Sequence, residues 1–141
     1  MSSELIAVLG TLGGALLVGV INYFSNKGVK NHEWRLALAR DQFAIRQKLY
    51  AELLVEAHRL VIQAREEKVS SLADLNPMNG KYAEVCLVGA TAVIEEAEKL
   101  TAYAIAAYSA QPAKEVAQFY ALKQSFIAAA RKDMAKVLSE A

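Results

Sequence analysis

The chain has 141 residues, 55% of them hydrophobic and 22% charged, with 16 Lys+Arg against 15 Asp+Glu and a net charge of +1. Mean hydropathy is positive at +0.19, too apolar for disorder; two prolines, seven glycines and roughly 26 alanines predict a few long helices and exclude sandwiches, doubly wound sheets and disulfide scaffolds. Bases alternate with acids, so no basic stripe tracks a phosphate backbone and nucleic acid is not an expected partner.

The first element, residues 1–26, carries no charge from Leu5 to Asn26, and Leu5–Ile21 is apolar on every face with Thr11 as its only polar side chain. A soluble surface helix would show a polar face. With Asn22, Tyr23 and Phe24 the run reaches the ~20 residues that cross a bilayer, and the two aromatics suit its interface. The expectation is a single transmembrane helix in contact with the lipid bilayer. Two alternatives stay open: a helix buried in the core of a soluble assembly, and a signal peptide, although the only early charge is Glu4 where a basic region is needed. Basic residues gather on one side of the run, at Lys27, Lys30, Arg35, Arg40 and Arg46. The positive-inside rule then puts the N-terminus outside and the rest in the cytoplasm. Gly10 and Gly14 form a GxxxG pair, and Thr11, Ala15 and Gly19 an adjacent small-residue row. Such rows let helix backbones approach closely in lipid, which predicts self-association into a homo-oligomer.

Residues 27–30 read as a hinge, because Gly28 follows Ser25-Asn26-Lys27. Residues 31–141 read as a cytoplasmic bundle of three antiparallel helices, up-down-up, over about 31–70, 81–109 and 112–138, joined to the span as one all-α chain. In the first, Leu36, Phe43, Tyr50, Ala57 and Ala64 stand seven apart, and Leu38, Ile45, Leu49, Leu53 and Leu60 widen the stripe. Its first turns carry Trp34, Leu36, Leu38, Phe43 and Ile45, more apolar surface than a solitary stalk in water bears, so these residues are the expected interface with the last helix or a second copy. Ser70–Gly80, with Pro77, reads as the loop to the next helix. That helix is alanine- and valine-rich, expected at the bundle centre, with a Glu95–Lys99 pair on its surface. Pro112 suits the first turn of the last helix, whose apolar seam runs Val116, Tyr120, Ile127, Ala130, Met134 and Val137, opposite Lys114, Arg131, Lys132 and Lys136.

Catalytic constellations are not visible. His32, His58 and Cys86 lie far apart, against a zinc site, and Cys86 in an uncharged run reads as a buried, inert thiol. Neither histidine has a Glu three residues before it, as a di-iron bundle site requires. Gly13-Gly14 lacks the Lys-Ser or Lys-Thr of a phosphate loop. No cofactor is expected. The leading expectation is a non-catalytic, membrane-anchored, self-associating bundle that docks a partner protein. Its alternatives are a membrane-active effector assembling into a pore or lesion through Gly10 and Gly14, and a ligand carrier or enzyme with a site near Tyr103, Tyr108 and Tyr120.

Overall fold

The computed structural model describes residues 3–66, 71–109 and 116–141, with side chains from residue 21 onward, Phe24 and Val116 excepted. All regular structure among these residues is helical: α1 Ser3–Arg65, a 3-10 turn Leu72–Leu75, α2 Asn76–Val88, α3 Thr91–Ser109 and α4 Val116–Ser139. Contacts divide the chain into two compact units, Met1–Leu38 and Ala39–Ala141.

In the first unit the chain is helical from Ser3 and passes Gly28 without a break. The expected hinge at 27–30 is therefore corrected to helix. A single glycine costs only about 1 kcal/mol relative to alanine in a helix, and neither Asn26 nor Lys27 adds a backbone obstacle. The predicted span, residues 5–24, is helical, but the side chains of residues 3–20 and 24 lie outside the described residues. Among the described residues no helix is long and apolar enough to cross a membrane.

The second unit holds the core. On α1 the buried side chains are Ala39, Tyr50, Leu53, Ala57, Leu60, Val61 and Ala64, a helical stripe that keeps the predicted seven-residue row from Tyr50 onward. Leu36, in the first unit, and Phe43, in the second, are half-buried. α3 supplies the largest share: Val93, Ala97, Leu100, Thr101, Tyr103, Ala104, Ala107 and Tyr108 are all buried. Thr101 satisfies its hydroxyl on the Ala97 carbonyl at 2.9 Å, so its burial leaves no donor unmet.

Four helices, rather than the predicted three, make this unit. The residues paired between α1 and α4 run in opposite order, Arg46 with Asp133, Tyr50 with Phe126 and His58 with Phe119, so these helices are antiparallel. The same reversal relates α1 to the segment from the 3-10 turn through α2, where Arg59 meets Asp74 and Glu52 meets Lys81.

The extra helix arises because the expected 81–109 segment begins earlier, at Asn76, and is divided inside, at Gly89. Much of the predicted 70–80 loop is structured: Ser71 caps the 3-10 turn by accepting from the Ala73 N–H at 3.3 Å, and Pro77 occupies the first turn of α2, where its missing donor costs nothing. Gly89 then separates α2 from α3. Its backbone is extended, φ −77° and ψ 154°, so left-handed geometry is not what glycine supplies. Space is: a Cβ there would lie 2.8 Å from the Val85 carbonyl oxygen and 3.3 Å from the Tyr50 hydroxyl.

The seam of α4 is also corrected. Phe119, Phe126, Ala130 and Asp133 face inward, whereas Tyr120, expected in the seam, is exposed; Ile127, Met134 and Val137 are half-buried. The core follows the seven-residue row Phe119–Phe126–Asp133, since two phenylalanines bury more apolar area there than Tyr120 and Ile127. Gln111-Pro112, Lys114 and Ser70 lie outside the described residues.

Candidate functional site

Of the residues expected to mediate self-association in the span, Gly10, Thr11, Gly14, Ala15 and Gly19, the structure describes only helical backbone. Within the first unit Lys27, Lys30, Trp34 and Arg35 are exposed on α1, as is Leu38. In the second, Arg40 and Ile45 are exposed. Arg46 is diverted from the surface role expected of it into the bundle.

Its Nη1 lies 2.6 Å from each carboxylate oxygen of Asp133, and the Tyr50 hydroxyl donates to Asp133 Oδ2, also at 2.6 Å. Asp133 is 7% exposed, and a buried carboxylate without partners is costly enough that these two groups are what permit it. Burial, and next the bond to Asp133, push the Tyr50 hydroxyl well above the usual tyrosine range. It therefore stays a neutral donor and is unsuited to act as a base or nucleophile. The Tyr50 ring meets Phe126 edge-on, centroids 6.0 Å apart, which fixes the hydroxyl in place. The triad joins α1 to α4 and reads as a structural lock.

Asp133 also borders a shallow surface cavity of about 140 Å³ lined by Ala90, Ala92, Val93, Ala129, Lys132, Asp133 and Lys136. The walls are mostly small apolar side chains, and the one carboxylate is already engaged by Arg46, so no reacting pair is assembled there.

A second polar cluster sits where α1 meets the 3-10 turn. Arg59 donates to Glu56 at 2.8 Å, to Gln63 at 3.0 Å and to the Asp74 carbonyl at 2.9 Å. The Tyr108 hydroxyl donates to the Asp74 carboxylate and accepts from the Ser71 N–H at 3.1 Å. The Asp74 carboxylate is the main cause that raises the Tyr108 hydroxyl above its ordinary value. A cavity of about 190 Å³ beside it is lined by Ser71, Leu72, Leu75, Tyr108 and Ser109.

The remaining sequence candidates disperse. Tyr103 stacks on Phe119 at 5.7 Å between centroids while Tyr120 points outward, so the tyrosines do not converge on one site. Cys86, expected buried, is exposed, because α2 turns its Val85 face to the core instead. Lys99 pairs with Glu96 at 3.1 Å, replacing the expected Glu95 partner. His58 is exposed. Among the described residues no group of three or more His, Cys, Asp or Glu is placed to hold a metal ion. The Arg46–Tyr50–Asp133 triad escaped sequence reasoning, yet it had a signal: Asp133 is a lone acid among Arg131, Lys132 and Lys136 and continues the Phe119–Phe126 spacing.

No protein-family model, no curated protein and no solved structure matches this chain.

Proposed function

We propose that the protein is a non-catalytic, single-span membrane anchor whose helical bundle docks a partner protein on the cytoplasmic side. The observation that carries the reading is the uncharged run Leu5–Asn26, which lies entirely within helix α1. A helix satisfies its backbone donors and acceptors internally, the condition for lying in hydrocarbon, and about 20 apolar residues match its thickness. The basic residues Lys27, Lys30, Arg35 and Arg40 follow on one side and favour an outside N-terminus. The small-residue rows Gly10–Gly14 and Thr11–Ala15–Gly19 support self-association, and exposed Trp34, Leu38 and Ile45 support a protein interface.

Carbonate extraction of membranes combined with protease protection of a C-terminal tag tests span and sidedness together. The expected result is retention in the membrane pellet with the tag accessible only from the cytoplasmic side. Release into the supernatant would overturn the reading and assign residues 5–24 to the core of a protein assembly. Self-association is checked by crosslinking in membranes, where Gly10→Ile with Gly14→Ile is expected to remove the dimer and larger species.

A further inference from the structure

One face of α1 within the first unit combines two kinds of side chain. Tyr23, Lys27, Lys30, Trp34 and Leu38 recur at spacings of four, three, four and four, which stacks them along a single side of a helix. All five are exposed, Tyr23 at 63% and Trp34 at 67%. Among the described residues neither Lys27 nor Lys30 forms an ion pair, and the nearest acid, Glu33, stands three residues after Lys30 at the edge of the row, where it flanks Lys30 but is not within one turn of Lys27. An aromatic ring stands at either end of the two exposed lysines. That is the chemistry of a headgroup layer, where amphipathic rings sit at the apolar boundary and lysines reach for anions.

We infer that this face binds anionic lipid headgroups, so that α1 leans toward it where it leaves the membrane. The inference rests on the anchor reading above. Measured along the helix from Phe24, Lys27 and Lys30 stand roughly 5 and 9 Å out. The headgroup layer is roughly 6 Å deep and its charge is felt over a further ~8 Å at physiological salt, so both ammonium groups lie within its field. Leaning in this direction also carries Trp34 toward the interface already occupied by Tyr23, since the two rings share the face. Charge selects the occupant: an apolar partner leaves both lysines desolvated and unpaired, whereas anionic headgroups neutralise them.

Trp34 is the sole tryptophan and reports on this directly. The full chain is reconstituted into neutral phosphatidylcholine vesicles and into phosphatidylcholine–phosphatidylglycerol vesicles, and flotation and acrylamide quenching of Trp34 are measured in each. Expected are flotation with both, a blue shift and loss of quenching only with phosphatidylglycerol, and reversal at 1 M salt, where the screening length falls to ~3 Å. Lys27→Gln with Lys30→Gln should abolish the lipid difference while far-UV helicity is unchanged, as both positions are exposed. Flotation with both lipids but equal Trp34 quenching overturns the inference and leaves the anchor standing. Flotation with the anionic vesicles alone overturns the span and, with it, the lean of α1 that rests on the span; flotation with neither overturns both.

Discussion

Asp133 shows how one buried charge constrains its neighbours. Its carboxylate is nearly sealed from water and is held by Arg46, whose side chain remains 21% exposed, and by Tyr50. Asp133→Ala leaves the Arg46 guanidinium and the Tyr50 hydroxyl without their acceptor and is expected to cost about 3 kcal/mol, the low end for a broken buried pair because Arg46 can turn to solvent. Urea unfolding checks this, and the Arg46→Ala, Asp133→Ala double variant should lose less than the sum of the singles. Tyr50 carries a pH dependence of defined sign. Its hydroxyl is raised in the folded state above its ordinary value of 10.0, so its contribution is fully present below pH 10 and drains away above it as the unfolded chain ionises first. Melting temperature should fall above pH 10, and Tyr50→Phe should reduce that fall while lowering stability at neutral pH by about 1–3 kcal/mol, since Asp133 loses a donor. Phe126 is fully buried against the Tyr50 ring, and Phe126→Ala should cost about 3–5 kcal/mol through lost burial and the cavity left behind.

Helix by helix, two glycines with opposite surroundings separate backbone freedom from space. Gly89 joins α2 to α3 where a Cβ would press on the Val85 carbonyl and the Tyr50 hydroxyl. Gly89→Ala is expected to destabilise the bundle by about 1–3 kcal/mol, read as a shift in the urea midpoint. Gly28 lies inside α1 with nothing within 4 Å of the same added atom. Gly28→Ala should therefore strengthen the helix by about 0.5–1 kcal/mol, seen as slower amide exchange over residues 25–31. Were residues 27–30 a hinge, the same change would leave that exchange untouched. The sequence predicts a hinge at Gly28 and one helix over 81–109 through Gly89, and the structure reverses both: α1 passes Gly28 unbroken and α2 ends at Gly89. Only the neighbours distinguish them: at Gly89 the chain must pass close to Tyr50, which is distant in sequence, and at Gly28 no described side chain lies within 4 Å of the added atom.

At the scale of the whole molecule, stability is unevenly placed. In the second unit α1 buries six side chains from Tyr50 to Ala64, α3 is buried along most of its length and α4 contributes Phe119 and Phe126; in the first, the described side chains from Ile21 to Leu38 are exposed except Leu36. Hydrogen exchange in detergent should accordingly show the slowest amides in residues 50–64 and 93–108 and faster exchange over 25–38, where opening costs little buried area. The all-helical class was legible from composition alone, since alanine-rich segments with few breakers have no other regular structure open to them. The uncharged run, the inward row from Tyr50 to Ala64 and the basic cluster after residue 26 were equally legible, because each is a property of residues near one another in the chain. The division of α2 from α3, the inward turn of Phe119 in place of Tyr120 and the capture of Arg46 by Asp133 were not. Helical periodicity reaches only three or four residues along the chain and offers more than one apolar face, whereas the face that is buried, and the charge that is paired, depend on side chains some 80 positions away. Only the tertiary structure brings those side chains within reach.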